Sequence, residues 1–156
     1  MNKALDLMNV DFKVDDLPWE AARVIYDWWQ KKVTELGRPP SRSDFKPQQF
    51  IKQLPTVMLV DILPDPERFI IRLAGTKLID NMGHEMAGKL ITELQGGDSI
   101  HERFSKQAEN GKPYFLVDNP LTWANKDYTT YGILSVPLSD EEGNINMLLS
   151  CLLFKN

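Results

Sequence analysis

The sequence predicts an α+β fold built on an antiparallel sheet of five strands with helices covering at least one face, and three observations carry that prediction. Residues Arg68 to Lys89 change period in mid-segment. Phe69, Ile71 and Leu73 alternate with Ile70, Arg72 and Ala74 as in a strand, whereas Leu78, Ile79 and Met82 recur at helical spacing before Gly83. Three strand-like runs then close the chain, Tyr114 to Trp123, Tyr128 to Leu138 and Ile145 to Phe154, separated by turn-rich segments at 124–127 and 139–143. Near the start, Ala22, Ile25, Trp29, Val33 and Leu36 fall on one helical stripe that Ala21, Val24 and Trp28 widen, and so broad an apolar face requires cover.

Taken in order, residues 1–14 lack periodicity and are rich in Asp and Asn, which predicts a mobile or loosely docked arm. A long helix is expected from Asp16, a residue able to cap free N–H groups, with Pro18 in the first turn, Glu20 on the positive end of the dipole and Gly37 as terminator. Arg38 to Pro47 is a proline-rich link, and Asp44 is expected to cap a short helix over 47–52. Val57 to Leu63 and Phe69 to Ala74 flank Pro64-Asp65-Pro66-Glu67 and predict a hairpin. Gly83 and Gly88 bracket a turn, and Leu90, Ile91 and Leu94 predict a second short helix. Gly96-Gly97-Asp98 offers a break and a cap for a helix carrying Ile100, Phe104 and Ala108, which Asn110-Gly111 stops. The domain plan is an arm at 1–14, a helical extension and link at 15–54, and a core at 55–156.

Composition narrows the function classes. A chain of 156 residues with 42% hydrophobic content suffices for one sizeable core. A net charge of -4, with scattered lysines and arginines, speaks against nucleic acid and anionic membrane surfaces. No apolar run reaches the roughly 18 residues of a membrane span, and the N-terminal residues lack the apolar block of a signal peptide, so a cytoplasmic location is expected. Cys151 is the single cysteine and the two histidines are His84 and His101, a set that predicts neither an internal disulfide nor a zinc site.

The segment from Pro39 to Leu94 resembles bacterial single-domain PAS proteins that open with a long helix and a Pro-x-Arg-x-Asp-x-x-Pro segment. The matching residues are Pro40, Arg42, Asp44, Pro47, Leu54, Pro55, Asp61, Arg72, Gly75, Thr76, Gly83 and Gly88, and the similarity runs over residues 18–95. One departure is His84, where the family pattern often has arginine. The resemblance implies a PAS-like five-stranded antiparallel sheet with short helices on one face and the long N-terminal helix on the other. It also implies a sensory or regulatory role. A small-molecule signal would be taken up between sheet and helices and relayed to a partner protein, with a homodimer as one possible assembly.

Candidate pocket residues are Arg72, Met82, Phe104, Trp123, Tyr131, Met147 and Cys151. In the last strand Ile145, Met147, Leu149, Cys151 and Leu153 share one apolar face, which is expected to line the cavity against the short helices; plain core packing is the competing role for Met147 and Cys151. Arg72 lies within an apolar strand. Pointing inward it would bind a ligand carboxylate or phosphate; pointing outward it would pair with Asp61 or Asp44. Ile25, Trp28 and Trp29 form a candidate interface with a second subunit.

No catalytic signature is present: Ser99, Ser105 and Ser135 have no Gly-x-Ser-x-Gly elbow and no phosphate-cradling Gly-x-x-x-x-Gly-Lys occurs. An enzyme is therefore not expected, a small cone-shaped isomerase or dehydratase using Asp61 or Asp118 as base being the remote alternative. A ligand-free interaction module is the nearer one. His101 stands near a helix start and Cys151 on a strand, positions that argue against haem and against a flavin-linked thiol, and the cofactor is left unknown.

Overall fold

A computed structural model describes residues 3–120 and 130–155. Five strands, β1 (Val57–Leu63), β2 (Arg68–Ala74), β3 (Tyr114–Pro120), β4 (Thr130–Ser139) and β5 (Ile145–Lys155), make one sheet in the order β2-β1-β5-β4-β3, every pairing antiparallel. The apolar run of β5 earns the central place. It pairs on one side with β1, from Val57 opposite Cys151 to Asp61 opposite Met147, and on the other with the whole of β4.

Both faces of the sheet are buried, and side-chain parity sorts the residues into two cores. Met58, Val60, Phe69, Ile71, Ile133, Leu148 and Leu152 face the inner core, with Leu78, Met82, Met86, Ile91 and Phe104 from the segment between β2 and β3. Val57, Leu59, Leu134, Val136, Met147, Leu149 and Cys151 face the outer core under the N-terminal helix.

Four α-helices are described: α1 (Lys3–Asp6), α2 (Glu20–Leu36), α3 (Thr76–Met82) and α4 (Gly97–Asn110). Helix α2 starts later than the sequence suggests. Asp16 accepts the Lys13 N–H at 2.8 Å and closes a preceding 3-10 turn, so its carboxylate does not cap α2. Gly37 ends the helix in the left-handed conformation at φ 71°, which a Cβ-bearing residue adopts only under strain. Ala22 and Ile25 are completely buried on the sheet, and Trp29 Nε1 donates to the Pro137 carbonyl at 2.8 Å, so the wide stripe is covered within the chain.

Two expected short helices are 3-10 turns instead. Asp44 accepts the Ser41 N–H at 2.8 Å and its hydroxyl at 2.9 Å, which holds its carboxyl below the usual range, the backbone N–H being the main cause. With Asp44 so engaged and Pro47 and Pro55 interrupting the ladder, residues 47–49 and 54–56 make single turns. The segment before Ile91 is held to the sheet edge, where Ile71 N–H donates to Lys89 O at 2.8 Å and Gly88 N–H to Ile71 O at 2.7 Å; only Ile91–Glu93 coils. The first residues are tied down as well. Asn9 and Phe115 exchange backbone hydrogen bonds at 2.9 and 3.0 Å, and the Phe12 ring packs on Tyr26 and Phe115.

Two substitutions test this packing. A Cβ at Gly97 would run into the carbonyl oxygen of Ile91, a backbone atom that cannot swing aside as a side-chain end would; Gly97→Ala is expected to cost about 1–3 kcal/mol. Phe104 is fully buried in the inner core, and Phe104→Ala should cost about 3–5 kcal/mol. Urea unfolding reads both as a lower midpoint at unchanged slope.

Candidate functional site

Helix α4 brings the chemistry to the inner core. Ile100 and Phe104, four residues apart, seat it on the sheet, and the same face carries Arg103 and Gln107, both buried at 2% and 0% exposure. Gln107 is held at both ends of its amide: Nε2 donates to the Ser135 carbonyl and Oε1 accepts the Ser135 hydroxyl, both at 2.8 Å, while Ser150 Oγ donates to Ser135 Oγ at 3.2 Å. This network locks α4 onto β4 and β5.

Arg103 is held differently. Its Nε donates to the Ala4 carbonyl at 2.9 Å and Nη1 to the Tyr131 hydroxyl at 3.2 Å, which also accepts Asn119 Nδ2 at 3.2 Å. Among the described residues no carboxylate comes within 4.0 Å of this guanidinium. A buried cation without a counter-charge is costly, since its desolvation is offset only by neutral acceptors. Beside it opens a cleft of about 240 Å³ whose walls come from α1, the start of α4 and the ends of β3 and β4; Arg103 and Tyr131 are its two most buried lining residues. Nearby Tyr114 is fully buried, and its hydroxyl has no hydrogen-bond partner among the described residues. Burial drives its phenol far above the ordinary range, and the charge of Arg103 opposes that rise.

Three of the expected pocket residues, Met82, Phe104 and Tyr131, do meet in the inner core. Met147 and Cys151 face the other way, into the core beneath α2, because β5 places Leu148 and Leu152 on the inner side. The parity reading was inverted: both faces of this strand are apolar, and alternation alone cannot tell which layer covers which face. Arg72 points outward, with 68% of its side chain exposed and Nη1 3.3 Å from Asp61 Oδ2, so it lies outside the cavity. Trp123 lies outside the described residues.

Of the expected interface, Ile25 and Trp29 are buried on the sheet and Trp28 packs edge-on against Phe45 and Phe50 at 5.5 and 5.6 Å. Those two rings stack at 4.8 Å, and Arg42 lies over Phe45 while donating to its carbonyl at 3.2 Å. The Pro-x-Arg-x-Asp-x-x-Pro segment thus serves as a brace over Trp28. His101 stands edge-on to Phe69 at 5.1 Å, and His84 is exposed. Among the described residues no group of three potential metal ligands occurs, and no helix is long and apolar enough to cross a membrane.

Arg103, Gln107 and Asn119 were missed from sequence. The available signal was the spacing: positions 103 and 107 lie on the stripe marked by Ile100 and Phe104.

A five-stranded antiparallel sheet with helices over both faces defines an α+β domain. A family model described as a PAS domain matches residues 19–153, and the chain belongs to the PAS family. Solved structures share the fold at low identity. A light-oxygen-voltage domain studied with a flavin analogue has a TM-score of 0.51 and 17% identity, over 70% of this chain and 83% of its own. A sensory box sensor histidine kinase from Vibrio cholerae has a TM-score of 0.50 and 16% identity, over 70% and 88%. An RNA-binding light-oxygen-voltage receptor has a TM-score of 0.50 and 11% identity over 74% of this chain, which spans only 36% of that receptor. No curated protein matches the sequence.

Two outcomes follow from the side-chain placements. Arg72→Ala removes only an exposed ion pair; it should lower stability by at most about 1 kcal/mol and leave the inner cavity unchanged, as read by chemical denaturation and by the amide spectrum of α4. Burial is the main cause that raises the Cys151 thiol from its ordinary 9.0 to about 11. Because the folded state holds the proton more tightly, this contribution is complete below about pH 9 and is lost as pH rises towards about 11, a change of about 2–3 kcal/mol. The stability advantage of wild type over Cys151→Ala should therefore shrink across that window, measured by urea titrations at successive pH values.

Proposed function

We propose that this protein is a sensory or regulatory PAS domain that takes up a small molecule in the cleft beside Arg103 and relays its occupancy to a partner protein. The observation that carries this reading is the buried guanidinium, with no carboxylate within 4.0 Å among the described residues, at the open end of the interface between α4 and the sheet. Membership of the PAS family supports it, since such domains are generally sensory rather than catalytic. A signal bound here would shift the molecule between states only by binding one of them better. The N-terminal arm is the element placed to differ, because the Ala4 carbonyl is bound by Arg103 itself.

An enzymatic role finds little support in the placement of the strand carboxylates. Asp61 is paired with Arg72 on the outer face, and Asp118 is exposed beside Lys155 at 3.4 Å. Neither faces the inner core, where a base would have to act. A ligand-free interaction module has one observation in its favour: an apolar groove of about 310 Å³ by Pro47, Leu54 and Pro55, with Ile51 and Leu73 exposed at 70% and 46% on its rim.

Native mass spectrometry of protein purified without added cofactor, followed by thermal-shift screening of a metabolite panel, distinguishes the two. The sensory reading expects a retained mass that is lost on denaturation, or at least one compound that raises the midpoint in a saturable way. A bare mass together with a flat panel overturns it in favour of the interaction module.

A further inference from the structure

Resting on the ligand-binding reading, we propose that the cleft binds the carboxylate of a small organic acid, with the Arg103 guanidinium as its anchor. A guanidinium carries five N–H donors, and among the described residues the contacts of Arg103 account for two of them, to the Ala4 carbonyl and the Tyr131 hydroxyl. The remaining donors belong to the planar fork that matches a carboxylate edge-on. Among the described residues no acid fills that role, and Arg103 is only 2% exposed.

The surroundings reinforce one sign of charge. Gly96 and Ser99 bring the start of α4 to the cleft, so the positive dipole end of this helix of 14 residues lies there, with Asp98 in the same first turn. Lys3 stands exposed on the rim. The Tyr114 hydroxyl adds a buried polar group lacking a partner, close enough to Arg103 to feel its charge.

Size and wall chemistry narrow the class. A space of about 240 Å³ is room for a short organic acid. Ala4, Leu7 and Pro120 give it an apolar wall suited to a hydrocarbon body. A single buried cation balances a single negative charge. The second charge of a phosphate would fall to Lys3 alone, where water screens it.

The test uses the full chain, labelled with nitrogen-15, titrated separately with butyrate, succinate, inorganic phosphate and butyramide while the Arg103 Nε–H and Ser99 amide signals are followed. Saturable shifts at both signals with butyrate or succinate, and none with butyramide, are expected. Arg103→Lys should raise the carboxylate Kd about tenfold or more, since the fork is lost while the charge stays. If that variant does not fold, the butyrate and butyramide comparison on wild type still decides, because the two differ only in the charged group. Equal binding of butyramide, or tighter binding of phosphate than of either acid, overturns the carboxylate assignment and leaves the sensory reading standing. Silence of both signals towards all four probes, with a neutral compound from the metabolite panel binding the cleft, has the same meaning. Silence with a flat panel overturns both.

Discussion

The rest of this structure depends on one constraint: its two central strands, β4 and β5, are buried on both faces. A strand in that position needs a covering layer on each side, and α2 with the braced link supplies one while α3, α4 and the coil between them supply the other. The hairpin of β1 and β2 closes against β5 across about a hundred residues of sequence, so neither core exists until the chain ends have met. The division also sets the two layers apart, because among the described residues the inner one has an opening toward solvent beside a buried charge.

The two layers are built from different material. The outer one is apolar and aromatic: Trp29 spends its N–H on Pro137, Trp28 is clasped by Phe45 and Phe50, and the link is pinned to β4 where Ser139 donates to Pro39 and Pro40. It reads as a rigid lid. The inner one carries polar groups on the same helix that seals it. Gln107 bonds to Ser135 within the sheet, whereas Arg103, one turn earlier, donates to a backbone carbonyl of the arm and to the Tyr131 hydroxyl. One turn of helix thus separates a residue that locks the helix to the sheet from one that ties down the arm.

The arm deserves the same reading at the level of energetics. Residues 3–9 bury few large side chains and Leu7 is half exposed; their ties to the body include the Arg103 bond, the Asn9 and Phe115 pair and the packing of Met8 on the inner core. Segments held by few buried contacts sit at the low end of local stability, where a modest change in one bond alters their docking. A ligand at Arg103 and the arm would therefore share a single anchoring residue, which is the simplest form of coupling between a bound molecule and a surface that a partner can read.

Local patterns in the sequence were sufficient for the element order, the hairpin, the ends of α2 and α4 at Gly37 and Gly111, and the interior placement of Met82, Phe104 and Tyr131, because period, turn chemistry and amphipathicity act over a few residues. They were insufficient wherever a distant partner decides. Residues 84–90 look neither helical nor extended until the edge of β2 pairs with them, and Asp44 looks like a helix cap until Ser41 folds back upon it. Met147 and Cys151 lie on an apolar face beyond doubt, but which layer covers that face depends on β1 and β4 fixing the strand from both sides. Arg72 and Arg103 make the contrast sharpest. Arg72 sits in an apolar strand yet finds Asp61 across a strand pair and stays at the surface, whereas Arg103, flanked by Glu102 and Ser105 in a polar stretch, is carried inward by Ile100 and Phe104. The sequence by itself determined the two layers and the sheet between them. Tertiary structure alone decided which charge was buried, since burial belongs to the packing of elements far apart in the chain and not to any stretch of it.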